Sequence, residues 1–267
     1  METPPEDNIP VDEPVRSESM PTETRNISLV LEYDGSNYHG WQCQPNGITI
    51  QEVVQKTIGK ILNHNVKIYA AGRTDSGVHA FGQVINFHTA HGIGTGELLK
   101  GLNSLLPHDI RVRSARTVDT DFHARYSARC KSYLYVISNA RFHSPFQVKY
   151  SWHVIHHLDA VLMNEGIKTL IGTHDFSSFK KKREPYKNHE RKIKRAWVKR
   201  RGTLVYVFVE ATGFLRYMVR NIVGTLVEVG KGKISVAEME EVLTAKDRTK
   251  AGMTAPPHGL FLRRIIY

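Results

Sequence analysis

Only two of the 267 residues are cysteines, Cys43 and Cys130, too few for a disulfide framework and without the Cys-x-x-Cys spacing of a metal or thioredoxin-like site. That usage fits a reducing, cytoplasmic home. No apolar run approaches the roughly 20 residues that cross a bilayer, so a membrane protein is not expected. There is no Gly-x-Ser-x-Gly elbow for acyl transfer. Gly92, Gly94 and Gly96 lack the strand-to-helix setting and the lysine of a phosphate loop, which removes nucleotide hydrolysis. His153, His156 and His157 crowd together, but no acids or thiolates complete a ligand set and their spacing suits a strand-to-loop transition, so no metal is expected. Acids are scarce beside bases, 26 against 37, for a formal charge of +11 and a pI near 9.6. An excess of that size points to a polyanionic partner.

The acids that exist are unevenly placed. Residues 1–25 hold seven acids against Arg16 and Arg25, a local charge of −5, which leaves +16 on the rest. This leader has five prolines and almost no large apolar residue, so it has no core to bury and is expected to be disordered. It lacks the apolar stretch of a secretory signal and the basic character of a transit peptide. Met20, just before the folded pattern, is a candidate translation start.

Beyond the leader the chain reads as α/β (α+β). Ile27–Asp34 alternates as a half-buried strand does. Thr49–Leu62 carries a helical apolar stripe opened by a Thr49/Glu52 capping box. Strands over Val66–Ala70 and Gln83–His88 flank a glycine-rich loop, and a short helix over Glu97–Leu105 stops at Pro107. The second half broadly repeats that order. A strand over Lys131–Ser138 puts Tyr133 and Tyr135 on one face. A helix over Leu158–Ile171 and a hairpin of Arg195–Arg200 with Leu204–Ala211 follow. Phe214–Val229 reads as an apolar helix with Arg216 and Arg220 four apart on one stripe. A helix capped by Ser235 and Glu238 and a closing strand over Leu260–Ile266 complete the order. Two similar lobes, residues 26–128 and 129–267, sharing a mostly antiparallel sheet flanked by helices, account for it.

The chemistry concentrates in Ala71-Gly72-Arg73-Thr74-Asp75-Ser76-Gly77-Val78-His79-Ala80. Gly72 and Gly77 let the backbone turn and approach another molecule, and Arg73 offers a planar cation suited to phosphate or a flipped base. Asp75 is the candidate for chemistry, though such a run also serves as an Asp-stabilised turn. From Phe122 to Tyr135 cations mix with aromatics, as an RNA groove requires: cations track phosphates and aromatic faces stack on unpaired bases. The tyrosines alone would equally pack a sheet. Lys180–Arg201 holds twelve Lys or Arg against Glu184 and Glu190, with Tyr186 and Trp197 interleaved, and reads as a nucleic-acid contact whose first half is a loop. Arg220 lies on an apolar helix, where an unpaired guanidinium is costly. Its expected partner is Asp75.

Six ordered segments, LEYDGSNYHGWQ, AAGRTDSGVHAFGQVINF, FHARYSARCKSYLYVI, GTHDFSSF, GFLRYMVRNIVGTLVEVG and APPHGLFL, resemble the tRNA pseudouridine synthases of the TruA type from about Asn26 to Tyr267. The resemblance implies the pseudouridine synthase fold and an isomerisation of uridine to pseudouridine without cofactor or metal. It makes Asp75 the catalytic aspartate, as nucleophile at C1′ or as a base helping to form a glycal. Arg73 becomes the residue that takes the place of the extruded uridine, Tyr133 the tyrosine stacking on the target base, Arg220 the arginine pairing with the aspartate, and Leu260 part of the closing motif lining the pocket. It also implies a homodimer whose basic clefts hold the anticodon arm, with targets at tRNA positions 38, 39 and 40. Met253 stands where that family has a proline. Two other readings remain: a non-catalytic RNA-binding protein of the same fold, which would not need Asp75, Arg73, Tyr133 and Arg220 together, and N-glycoside hydrolysis, which calls for a paired acid. Asp34 and Asp175 are read as turn stabilisers instead.

Overall fold

The computed structural model describes residues 24–182 and 188–267. In chain order the elements are β1 (Arg25–Tyr33), α1 (Ile50–Leu62), β2 (Tyr69–Ala70), β3 (His79–Thr89), α2 (Thr95–Leu105), β4 (Ile110–Val118), β5 (Cys130–Ser138), β6 (Trp152–His153), α3 (Ala160–Lys168), β7 (Gly172–Asp175), β8 (Glu190–Arg201), β9 (Leu204–Ala211), α4 (Met218–Gly230), α5 (Val236–Thr244) and β10 (Leu260–Ile266). The strands make one sheet in the order β4-β1-β3-β10-β5-β9-β8-β7, with β2 on β3 and β6 on β5. Pairing is antiparallel except for β10 with β3 and β6 with β5. The last strand of the chain is thus the seam between the first half of the sheet and the second.

Alternation decides which face carries the core. Ile27, Leu29, Leu31 and Tyr33 of β1, Tyr133 and Tyr135 of β5, and Val205, Val207 and Val209 of β9 point one way. There they bury against Val54 and Ile58 of α1, Leu98 and Leu102 of α2, Met163 of α3, and Ile222 and Leu226 of α4. Phe208 and Phe261 are buried but stand outside that core, on the opposite face, where Phe208 stacks on Trp197 and Phe261 on Phe81.

The structure departs from the sequence reading in instructive places. β4 was not expected: its run Ile110–Val118 buries Ile110 and Val112 and turns Arg113 and Arg116 outward at the sheet edge. β7 was also missed. β8 begins at Glu190, so the second half of the basic run is sheet, whereas Arg183–Lys187 lies outside the described residues. The capping box at α1 is half formed. Thr49 Oγ1 accepts from Glu52 N at 3.4 Å, but the Glu52 carboxylate turns to Lys56, 2.6 Å away. The box at Ser235 and Glu238 closes both ways. α4 starts at Met218, after Tyr217 at φ 67°, so Arg216 belongs to a turn and not to a helical stripe with Arg220. The leader and Met20 lie outside the described residues, except Thr24 and Arg25. Arg25 already pairs in β1 and donates to the carbonyls of His91 and Ile93.

A second seam is polar. His79, 2% exposed, accepts at Nδ1 from Gly35 N and donates from Nε2 to Lys149 O at 3.0 Å and His258 O at 3.2 Å, tying both halves through one neutral ring. Asp34 Oδ1 also stands 3.0 Å from Nδ1, but burial outweighs its pull and holds His79 below the ordinary histidine value; burial does the same to His258. The fold therefore disfavours the charged form of both rings, while the unfolded chain takes up protons below about pH 6.5. Stability is therefore full above that pH and falls as pH drops. Calorimetry at pH 7.5, 6.5 and 5.5 should show the melting temperature falling on acidification, with a shallower fall in His79→Gln.

Candidate active site

The loop between β2 and β3 is tied to its surroundings on both sides of Asp75. After Ala70 the chain makes one more backbone bond to β3, Ala71 N to Val84 O at 2.8 Å. The Ala71 carbonyl then accepts from Lys131 Nζ of β5, and the Gly72 carbonyl from Gln83 Nε2 at 2.7 Å. Past Arg73, Thr74 Oγ1 meets the Tyr33 hydroxyl at 2.9 Å, Thr74 O accepts from Trp41 N at 3.0 Å, and Ser76 Oγ donates to Tyr38 O at 3.1 Å. Gly40, at φ 87°, permits that approach, since a Cβ there would stand 2.8 Å from Thr74 O. Gly77 turns the chain at φ 74°, whereas Gly72 is not at positive φ. A Cβ on Gly72 would only make ordinary contact with Lys131 Nζ, at 3.5 Å.

Between those anchors Asp75 projects with its side chain 22% exposed. Arg220 Nη1 donates to its Oδ2 at 3.1 Å, and Arg216 Nε stands 3.8 Å from Oδ1. Arg220 is fixed from behind. Its Nε donates to Ala255 O at 2.8 Å, and its guanidinium lies 4.9 Å over the Tyr217 ring, which also faces Lys181 and Arg216. A partly exposed carboxylate thus meets a rigid, permanently charged guanidinium.

The other expected residues fall on two sides of this pair. Tyr133 is buried on the core face of β5, its ring edge-on to Phe214 at 4.9 Å. Burial first, then the negative charge of Tyr33 and Asp75 were they ionised together, keeps its phenol protonated well above neutral pH. It is a ring and a proton donor, not a standing base. Tyr135, two residues on, is core: fully buried, its hydroxyl donates to Pro256 O at 2.8 Å. Leu260 opens β10 opposite Tyr135, and Leu262 stands opposite Tyr133, so Leu260 and Tyr133 share the inner face. Arg73 is exposed, with no hydrogen bond or ion pair among the described residues. Asp34 and Asp175 are elsewhere and occupied. Each accepts from the backbone N–H and the hydroxyl of the serine two residues on, Ser36 and Ser177, at 2.9 and 2.6 Å. They are turn carboxylates in the same geometry, and neither stands as a second acid beside Asp75.

Sequence reading missed Lys131, Gln83, Tyr217 and Asn221 as parts of this assembly. Asn221, fully buried in α4, donates to Phe179 O and accepts from Arg248 and Thr254, and so shapes the loop that ends in Ala255. That loop is pressed onto α4 so closely that a Cβ on Gly224 would lie 1.7 Å from Met253 O. Met253 itself is 57% exposed. Backbone contact, not the side chain at 253, therefore sets the loop's course.

The family model described as tRNA pseudouridine synthase matches residues 29–127 and 167–267. The chain belongs to the tRNA pseudouridine synthase family. Among its relatives, tRNA pseudouridine synthase A of Thermoanaerobacter sp. (strain X514) is 48% identical over 243 residues, 91% of this chain and 100% of the relative. Its namesake in Acetivibrio thermocellus is 42% identical over 243 residues with the same coverage. The namesake in Pseudoalteromonas atlantica is 42% identical over 241 residues, 90% of this chain and 92% of the relative. Arg73, Asp75, Arg220 and Leu260 fall inside the segments matched to the synthase model, and Tyr133 falls between them. As the Tyr133 hydroxyl has no partner among the described residues, Tyr133→Phe should change unfolding free energy by no more than about 0.5 kcal/mol. Urea denaturation checks this, and a larger loss would mean that the hydroxyl supports the fold.

Proposed function

We propose that this synthase-family chain converts uridine to pseudouridine in tRNA, at positions 38, 39 and 40 of the anticodon stem-loop, with Asp75 as the residue that acts on the ribose. The observation that carries the reading is the Asp75–Arg220 pair: an accessible carboxylate paired with an arginine that is itself fixed at Ala255 and Tyr217. In the reaction the C1′–N1 bond breaks, the uracil turns, and C1′ bonds to C5. N1 gains a proton and C5 loses its hydrogen to solvent, so substrate and product are isomers and no cofactor is consumed. Asp75 serves as nucleophile at C1′ or as base towards a glycal; both roles need the anion.

A uridine within a stem must leave it first, and unstacking costs a few kcal/mol. Exposed Arg73, one residue before Thr74 and two before Asp75, is free to fill the vacated place, and the protonated Tyr133 ring offers the base a stacking surface beside the carboxylate. Leu260, on the same face, lines the pocket. The net charge of +11 and the arginine-rich β8 suit the phosphate backbone. We read the protein as cytoplasmic and as a homodimer. The stacked aromatics Trp197 with Phe208 and Phe81 with Phe261, on the sheet face opposite the core, are consistent with a covered surface.

Tritium release from tRNA labelled at uridine C5 tests the assignment, with product positions mapped. Wild type should release tritium and map to the anticodon arm. Asp75→Ala should fall to background while still binding tRNA in a filter assay. Release that persists in Asp75→Ala would overturn the role of Asp75, and tight binding without release by wild type would favour a non-catalytic RNA-binding protein.

A further inference from the structure

Lys131 is the least expected cation in the fold. It lies on β5 two residues before Tyr133, on the same face, flanked across the sheet by Ile265 of β10 and Ala211 of β9. No carboxylate pairs with it among the described residues, and the charge that acts on it is another cation, Arg125 from the 119–129 connection. Lys231 and Arg220, similarly shielded, each have a carboxylate, Glu228 at 2.8 Å and Asp75 at 3.1 Å, and Arg248, which has none, spreads its donors over three neutral oxygens. A lysine stem can pack apolar surface with its head in water, but this head is turned inward onto one backbone oxygen, that of Ala71. A methionine would pack the same space without the cost of desolvating a charge. The ammonium is therefore there for what it holds.

What it holds is the start of the Asp75 loop. We propose that Lys131 is a positioning residue whose ammonium clamps the Ala71 carbonyl and thereby sets where the Asp75 carboxylate stands relative to the Tyr133 ring. Ala71 is the last residue tied to β3 by backbone. The next two carbonyls are governed by side chains from two strands, Lys131 on β5 and Gln83 on β3. Because Lys131 and Tyr133 share one strand, a single rigid element both presents the aromatic ring and pins the loop that carries the carboxylate. An offset between those two groups is what misaligns a reacting ribose, and a 1 Å error costs about a hundredfold in rate.

This inference rests on the assignment of Asp75 to the chemistry, and it makes a separate claim about pH. Burial, with Arg125 adding, pushes the Lys131 ammonium down to about 8, so the clamp weakens as pH rises through that value. His79 and His258, held below their ordinary value, have finished titrating before then. Single-turnover tritium release should be followed from pH 6.5 to 9.0 in wild type, Lys131→Met and Lys131→Arg, with Asp75→Ala as the control for the chemistry and melting curves for each. The wild-type rate should decline through an apparent pKa near 8. Lys131→Met should be slower by about a hundredfold at pH 7, with tRNA binding and melting temperature kept and the alkaline decline gone. Lys131→Arg, whose charge is not lost in this range, should recover much of the rate and hold it to pH 9.0. An unchanged rate in Lys131→Met, or an alkaline decline that persists in either variant, overturns the proposal. Activity surviving in Asp75→Ala would instead overturn the reading on which it rests.

Discussion

The rest of the site depends on one ion pair that joins distant parts of the chain. Asp75 comes from a loop of the first half, Arg220 from the first turn of α4, and the two meet at 3.1 Å. Such a pair loses hydration on both sides, and its attraction repays the loss only if geometry is fixed and the remaining donors are satisfied. Arg220 meets that condition with Nε on Ala255 O and its plane over Tyr217. A lysine could not, because one ammonium lacks the planar fork that serves two acceptors and a ring at once. The pair therefore dictates its surroundings. The Ala255 loop must lie against α4, which the glycine contact at Gly224 allows, and Asn221 must hold Thr254 and Arg248 in place.

The sheet explains why the two sides can be brought so close. β10, last in the chain, sits between β3 and β5. It binds parallel to the strand that follows the Asp75 loop and antiparallel to the strand that bears Tyr133. Closing the chain at this position fixes the register of the loop against the tyrosine, and the buried His79 hub adds a polar tie through Gly35, Lys149 and His258. A long-range arrangement of this kind orders two side chains, Asp75 and Tyr133, that local structure alone would leave independent.

Much of this was legible in the sequence, and what was not has physical reasons. The alternation in β1, the stripe of α1 and the cap of α5 are strong local patterns, and the cost of an unpaired guanidinium in an apolar helix was enough to match Arg220 with Asp75. β4 escaped because an edge strand needs only one buried face and spends its other positions on charge. β7 escaped because four residues beginning at a glycine with φ 121° carry no periodicity. Lys131 was visible only as one more cation in a basic stretch. Its meaning lies in an oxygen 60 residues away, and no local signal can encode that.

Tyr217 is the sharpest case of structure overriding pattern. The apolar period runs unbroken from Phe214 to Val229, so a continuous helix is the natural reading, yet the chain stops it with a tyrosine at φ 67°. For a side chain of that size the left-handed conformation costs roughly 1–2 kcal/mol. The return is geometric. Delaying the helix to Met218 leaves Arg216 in a turn, from which its guanidinium reaches Asp75 Oδ1 at 3.8 Å, while the tyrosine ring lies beneath Lys181, Arg216 and Arg220 together. Three cations in one small volume repel one another. An aromatic face on one side and a carboxylate on the other are what offset that repulsion. Strain at a single residue is thereby converted into a concentration of positive charge around one accessible carboxylate.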